Sequence, residues 1–254
     1  MDKLTTKEYW NKQYPSKLEE PIVIDLKNQL SFLEIDKFLK KTIGPNGNFK
    51  FLEIGCAPGG WLHYFYKNFD YNVEGIEYTA NGVRLTKNNL KMLKVEAVVH
   101  EGDLFENKLN KASYDVVFSA GFIEHFDNPS LAIEKHVELL KKGGYLILEV
   151  PNFRGFNGFF QKIANNDLLR IHNLKIMNLN YFKEISERYG LEIVSIAYVG
   201  KINFGLFLGK KPLIFIGQVF QFIINKVYFF FKKRIFIKDG PLFSPYIFAV
   251  YIKK

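Results

Sequence analysis

The stretch FLEIGCAPGGWLHYF, from Phe51 to Phe65, constrains the fold more than any other part of the chain. Phe51, Leu52 and Ile54 make a short apolar run that reads as a buried strand. Trp61, Leu62, Tyr64 and Phe65 recur at the spacing of one helix face. Between them Gly55, Gly59 and Gly60 leave the backbone bare, so a ligand can approach its N–H groups and the start of the helix. A strand that feeds a helix through such a turn is the opening unit of a parallel α/β sheet with a nucleotide or cofactor cradle at its carboxyl edge.

The same rhythm continues downstream. YNVEGIE is a second strand ending on Glu77, followed by a helix over Asn81 to Leu93. VEAVVHEGD is a third strand ending near Asp103, and YDVVFSAG is a fourth. A helix over Pro129 to Leu140 stops at Gly143–Gly144, and Pro151 closes a fifth strand, YLILEVP. A helix over Ser31 to Lys41 precedes all of these. Strands alternating with helices predict an α/β fold with a doubly wound, Rossmann-like sheet that binds its ligand at the strands' carboxyl ends.

After Pro151 the pattern changes. NFRGFNGFFQKIANNDLLRIHNLKIMN is rich in glycine and asparagine and reads as an active-site cover. A helix over Tyr181 to Tyr189, a sixth strand (LEIVSIAYVG), an aromatic-rich segment from Phe204 to Phe236 and a last strand (YIFAVYIKK) complete the chain. With 254 residues and no linker, the expectation is a single domain. Residues 1–45 form its N-terminal helical lid, 46–155 its cofactor-binding core, and 156–254 a substrate cover with the terminal strands.

Composition narrows the setting. Cys56 is the sole cysteine, which excludes an internal disulfide and a cysteine-cluster zinc site and suits a reducing cytosol. The N-terminal MDKLTTKEYWNKQYPSK lacks the apolar core of a signal peptide, so the expected location is cytoplasmic. A net charge of +9 admits nucleic acid, anionic lipid or an anionic substrate and selects none of them.

The glycine loop departs from the dinucleotide pattern, though its surroundings fit NAD or any other adenosine-containing cofactor. A dinucleotide loop reads G-x-G-x-x-G, whereas here Ala57 and Pro58 follow and the spacing is E-x-G-x-x-x-G from Glu53. Glu77, 22 residues after Gly55 at a strand end, can accept hydrogen bonds from ribose hydroxyls. The motifs LEIGCAPGG, GIE, EGDL, YDVVFSAGFIEHFDNP and LKKGGYLILEVPN, in that order and spacing, resemble the class I S-adenosylmethionine-dependent methyltransferases over roughly residues 49–155. The resemblance implies a mostly parallel seven-stranded sheet with an antiparallel final strand and helical cap insertions, and S-adenosylmethionine as cofactor. It places Gly55, Ala57 and Gly59 against the methionine portion and Glu53 on its amino group. Glu77, with Tyr78 beside it, takes the ribose, Asp103 the adenine amino group, and Leu104 packs on the ring. Ser119 and Ala120 face the reacting end, and Trp10 and Tyr14 close over the site. Cys56 reads as a small loop filler.

GCAPGGW also resembles the ribosomal RNA 2′-O-methyltransferases. Their lysine–aspartate–lysine–glutamate set requires an aspartate after the fourth strand and a lysine in the fifth, where this chain has FSAGFIEHF and LILEVPN. The D/N-P-P-Y/F motif of DNA amino-methyltransferases is missing too, so nucleic acid is not the expected partner. FIEHFDNP instead resembles small-molecule and cell-surface-glycan methyltransferases. The expected reaction is O-methylation of a small polar acceptor, such as a sugar or a capsular or lipopolysaccharide precursor. Methyl transfer is an in-line displacement in which positioning dominates. His125 is the candidate base for the acceptor's proton, His172 a second candidate, and Glu124 a residue that caps or orients. No metal-binding set is evident, and none is expected. The alternatives are a lipid or quinone-type acceptor at the membrane surface, an RNA 2′-O-methyltransferase, an NAD or nucleotide-sugar enzyme, and a non-catalytic cofactor-binding module.

KKPLIFIGQVFQFIINKVYFFFKKR, residues 210–234, approaches the length of a bilayer span. Gln218, Gln221 and Asn225 fall on one side of a helix, and a span would carry the last strand away from its sheet, so a transmembrane helix is not expected. The expected fate is an apolar face folded onto the domain. The alternative is peripheral contact with the inner membrane face, with Lys210, Lys211, Lys232, Lys233 and Arg234 meeting anionic headgroups.

Overall fold

The structure, a computed structural model, describes residues 3–44, 47–201, 203, 211–230 and 238–254, and the side chains of the helix at 211–230 from residue 215 onward. Its strands are β1 (Lys50–Ile54), β2 (Asn72–Glu77), β3 (Val98–Glu101), β4 (Tyr114–Ala120), β5 (Leu140–Pro151), β6 (Leu191–Val199) and β7 (Tyr246–Lys253). Its helices are α1 (Lys7–Gln13), α2 (Leu30–Thr42), α3 (Gly60–Phe69), α4 (Ala80–Met92), α5 (Ser130–Leu139), α6 (Phe156–Arg170), α7 (Leu179–Tyr189) and α8 (Lys211–Phe230).

The strands form one seven-stranded sheet in the order β3-β2-β1-β4-β5-β7-β6. β1 pairs in parallel with both β2 and β4, while β7 runs antiparallel between β5 and β6. This is the expected mostly parallel sheet with an antiparallel final strand. The chain winds outward from β1 to β3 and then returns to lay β4 on the other side of β1. That reversal opens a crevice at the carboxyl ends of β1 and β4, the place where such sheets bind ligands.

Both sheet faces are covered, so the strands are apolar on both sides rather than alternating. Phe51, Val116, Phe118 and Phe248 face one core with Leu39 of α2, Phe65 of α3 and Leu90 of α4. Leu52, Val117, Leu146 and Leu148 face the other with Ile133 of α5 and Phe182 of α7.

Three segments add to or differ from their sequence-based reading. The N-terminal region carries α1, which Thr6 starts by accepting a hydrogen bond from the Tyr9 amide. The glycine- and asparagine-rich segment after Pro151 is largely α6, interrupted at Asn165, whose φ/ψ of −162°/94° leaves the helix. There the Asn165 side chain accepts from the Asp167 amide at 3.1 Å, which restarts the turn as a cap does.

The third is α8. Its inward side carries Gly217, Gln221, Asn225 and the buried Tyr228. Asn225 donates to the Asn28 carbonyl at 2.7 Å, and the Tyr228 hydroxyl donates to Glu34 of α2 at 2.9 Å. Phe215, Ile216, Val219, Phe222 and Ile223 point away, with Phe215 66% and Phe222 61% exposed. The expected packing of the apolar face on the domain is therefore reversed: polar side chains make the docking contacts. Lys210, Lys232, Lys233 and Arg234 lie outside the described residues, as do the Lys211 side chain and the rest of 204–210 and 231–237. Among the described residues no helix is long and apolar enough to cross a membrane.

Candidate active site

A pocket fills the crevice. Ile54, Gly55 and Ala57 line it from the end of β1, Ile76, Glu77 and Tyr78 from β2, and Gly102 to Phe105 from the loop after β3. Ala120, Gly121 and Phe122 follow from β4, with His125 and Phe126 beyond, and Lys3, Thr5, Trp10 and Tyr14 roof it. Ten of the thirteen residues expected at the site thus line one cavity: Trp10, Tyr14, Gly55, Ala57, Glu77, Tyr78, Asp103, Leu104, Ala120 and His125.

The turn after β1 needs its glycines. Gly55 has φ +74°, its amide donates to the Ile76 carbonyl at 2.9 Å, and a Cβ there would lie 3.2 Å from the Phe122 ring. Gly59, at φ +90°, precedes α3; a Cβ there would meet Thr86 at 3.0 Å. Gly59 therefore shapes the loop from behind and does not line the pocket. Cys56 is buried, with Sγ only 2.5 Å from where a Gly75 Cβ would stand, as expected of a packing residue.

Glu53 also stands behind the wall rather than in it. It is buried, its Oε2 has no hydrogen-bond partner, and burial pushes its carboxyl well above the usual range against the pull of the Leu62 amide. Glu77 spends one oxygen on the start of α4: Oε1 accepts from the Thr79 amide and hydroxyl, each at 2.8 Å. Burial raises this carboxyl as well. Gly82 lets α4 approach it, since a Cβ there would lie 2.7 Å from the Glu77 carboxyl. Asp103 accepts from the Phe105 amide at 3.1 Å and from Lys3 Nζ at 2.7 Å. The Lys3 ammonium also sits 4.6 Å from the Tyr78 ring centroid.

Ser119 is the third residue that the structure moves. Adjacent strand residues face opposite ways, so with Ala120 on the pocket Ser119 points to α5. There its hydroxyl lies 3.0 Å from His136 Nε2, while His136 Nδ1 lies 2.7 Å from the Ala132 carbonyl. Because a carbonyl only accepts, Nδ1 carries the hydrogen and Ser119 donates to Nε2.

At the other end, Trp10 and Tyr14 line the pocket. Trp10 Nε1 donates to Thr5 Oγ1 at 3.0 Å, and the indole meets His125 edge-on, centroids 5.0 Å apart. His125 Nδ1 lies 2.8 Å from the Ile171 carbonyl, and His172 Nδ1 lies 2.7 Å from the Leu168 carbonyl. Each Nδ1 is therefore the donor, and each Nε2 keeps its lone pair. The two rings are 4.6 Å apart. Burial holds His125 down at about 3 and lowers His172 too, so both are neutral near pH 7. Asn173 ties this turn to the loop after β4 by donating to the Phe126 and Asp127 carbonyls.

The match to known families is decisive at this point: a family described as methyltransferase domain matches residues 24–196, well over half of the chain. The chain belongs to that family. It is a class I S-adenosylmethionine-dependent methyltransferase. It is 25% identical over 147 residues to a sarcosine/dimethylglycine N-methyltransferase of Aphanothece halophytica, covering 57% of this chain and 52% of the relative. The chain thus spans about half the length of that curated relative. Phosphoethanolamine N-methyltransferase 2 of Haemonchus contortus superposes with a TM-score of 0.59 at 17% identity, over 85% of this chain and 51% of that one. Geranyl diphosphate C-methyltransferase of Streptomyces coelicolor A3(2) gives 0.58 at 11% identity, over 87% and 78%. These two likenesses establish the shared fold.

The pocket fits the methyltransferase cofactor. The side-chain-free face at Gly55 and the Glu77 carboxyl, both on the pocket, offer what a close backbone approach and a ribose require. Sequence reasoning passed over Lys3, Thr5, Phe105, Phe122 and Phe126. Phe122 and Phe126 stand within the FIEHF block, but nothing local marks Lys3 or Thr5.

Proposed function

We propose that this chain transfers the methyl group of S-adenosylmethionine to a hydroxyl of a small polar acceptor, a sugar or a capsular or lipopolysaccharide precursor. In this reading residues 1–254 act as one domain with an N-terminal lid, a cofactor core and a C-terminal cover. Glu53 holds the cofactor's amino group through the loop of Gly55, Ala57 and Gly59. Glu77 and Tyr78 take the ribose, Asp103 and Leu104 the adenine, and Trp10 and Tyr14 close over them. The carbon–sulfur bond breaks as the carbon–oxygen bond forms, the hydroxyl proton is lost to solvent at the His125 end of the pocket, and S-adenosylhomocysteine leaves.

The observation that carries the choice of acceptor is the character of the pocket beyond Ala120. His125, neutral and with Nε2 unengaged, stands there among Phe122 and Phe126, and among the described residues the Glu124 and Glu149 carboxyl groups are buried behind that end rather than lining it. A neutral nitrogen acceptor suits a hydroxyl donor, whereas a cationic amine would call for a carboxylate. In the relatives named above the acceptors are amines and a prenyl diphosphate. The test is release of S-adenosylhomocysteine with nucleotide sugars and glycan precursors set against sarcosine and phosphoethanolamine. Turnover with the amines alone would overturn the hydroxyl reading. Calorimetric titration with S-adenosylmethionine and NAD separates a methyltransferase from a dinucleotide enzyme.

A second reading, a lipid-linked acceptor met at the cytoplasmic face of a membrane, is favoured by α8. Its outward residues are apolar, and the sequence sets lysines at its start and two lysines and an arginine just past its end.

A further inference from the structure

His125 belongs to a cluster whose other members, Glu124 and His172, the methyl-transfer reading leaves unused. Glu124, His125 and His172 each offer one ligand atom, and these atoms lie within 4.8 Å of one another. Glu124 Oε1 is 3.9 Å from His125 Nε2. Both oxygens of Glu124 are buried without a hydrogen-bond partner, and so is Oε1 of Glu149 at the end of β5. Glu149 stands close enough to Glu124 for their charges to repel. A buried, unpartnered carboxyl group beside two imidazoles, with a second buried carboxyl group next to it, gathers acceptor atoms at one place. Such a site costs stability unless a proton or a cation fills it.

The histidines are set as metal ligands are set. Each gives its Nδ1–H to a backbone carbonyl, Ile171 or Leu168, which fixes the ring and aims the Nε2 lone pair away from that carbonyl. The carbonyls belong to the end of α6 and the residue after it, so the cover delivers His172 and orients His125 together. The Asn173 amide in turn donates to the Glu124 carbonyl at 2.7 Å, anchoring the same turn to the loop that carries the other two ligands.

We propose that Glu124, His125 and His172 form a binding site for one divalent first-row transition metal ion, with Glu149 as a flanking carboxylate. Two imidazoles and a carboxylate suit Zn2+, Fe2+, Co2+ or Mn2+ rather than the oxygen-only preference of Ca2+ and Mg2+. Bonds of about 2.0–2.2 Å draw the three ligand atoms inward by roughly 1 Å. His125 also lines the pocket, so the ion stands at the acceptor end of the cavity. This rests on the proposed methyl transfer and deepens it. An acceptor hydroxyl coordinated to the ion loses its proton to solvent more readily, and its oxygen then bonds to the methyl carbon as the sulfonium bond breaks. His125 thereby acts on the acceptor through the ion.

The test uses the full chain, stripped with EDTA and then titrated with Co2+, whose visible absorption reports a nitrogen- and oxygen-ligated site. Elemental analysis after gel filtration should find about one Co2+ per chain, displaceable by Zn2+. His172→Ala and Glu124→Gln should each weaken Co2+ at least tenfold. Thermal melting and S-adenosylmethionine titration show that both variants are folded. Absence of Co2+ binding in the wild-type chain, or binding undiminished from wild type in both variants, overturns the site. The cluster would then be a protonated carboxyl group beside neutral imidazoles, and the methyltransferase reading would stand unaltered. Co2+ binding without S-adenosylmethionine binding would sink the proposed function and keep the metal site.

Discussion

Lys3 reaches across the mouth of the pocket to Asp103, with Nζ and Oδ2 2.7 Å apart, so the N-terminal strap is tied to the carboxylate proposed to read the adenine. Leu4 fastens the same strap on the other side by donating its amide to the His125 carbonyl at 2.8 Å. The strap thus spans the cavity from the adenine end to the acceptor end.

The ion pair is partly exposed on both partners, and such pairs contribute about 0.2–1 kcal/mol. Lys3→Met should therefore change S-adenosylmethionine affinity by less than about fivefold while removing part of its salt dependence. Asp103→Asn, which alters the proposed adenine contact itself, should cost more. Calorimetry at two salt concentrations checks the order, and equal losses in both variants would undo this division of roles.

Glu77→Ala should weaken S-adenosylmethionine by about 1–3 kcal/mol, the cost of leaving charged hydrogen-bond partners unpaired. Glu77 also caps α4 through Thr79, so melting curves should be recorded beside the titration. Glu77→Gln keeps the cap acceptor and should retain the fold while losing part of the affinity. Undiminished binding in both variants would remove Glu77 from the cofactor site.

His136 supplies a pH dependence. It is fully buried between Ser119 and Ala132, and burial holds it down at about 4. The unfolded chain binds a proton near pH 6.5, the folded chain only near 4, so between those values the unfolded state carries more protons. Stability is then complete above about pH 6.5 and falls as pH drops toward 4, by on the order of 3 kcal/mol. Urea melts from pH 7.5 to 4 should show the loss, and His136→Gln should flatten that part of the curve. An identical slope in the variant would assign the loss to other groups.

The cofactor half of the site was legible because it depends on local chemistry. Glycines at Gly55 and Gly59, and acids where strands two and three end, are fixed by backbone geometry over a few residues. Ser119 was misplaced because β4 is apolar on both faces, and a strand without alternation does not say which neighbour faces the ligand. Glu53 and Gly59 were assigned to the wall although they support it from behind, a distinction of depth that spacing does not carry. His125 and His172 meet only because α6 and its following turn fold back over the loop after β4, a long-range contact without local periodicity. Within the cover, Asn165 restarts a helix and Asn173 ties the following turn to the loop after β4, roles that composition alone does not carry.

α8 carries the last prediction. An ordinary surface helix hides its apolar side, yet here Asn225 and Tyr228 make the docking bonds while Phe215 and Phe222 stand in the open. Exposed apolar side chains flanked in sequence by basic residues match a bilayer interface, where apolar groups enter the acyl boundary and lysines meet phosphate. Burying one such phenylalanine contributes roughly 1.5–3 kcal/mol. The full chain should therefore sediment with vesicles containing anionic lipid, less so at high salt. Phe215→Asp combined with Phe222→Asp should reduce binding more than tenfold, with the melting temperature held, because neither side chain faces the domain. Absence of sedimentation at either salt would leave the outward face without a bilayer partner and return the acceptor to the aqueous phase.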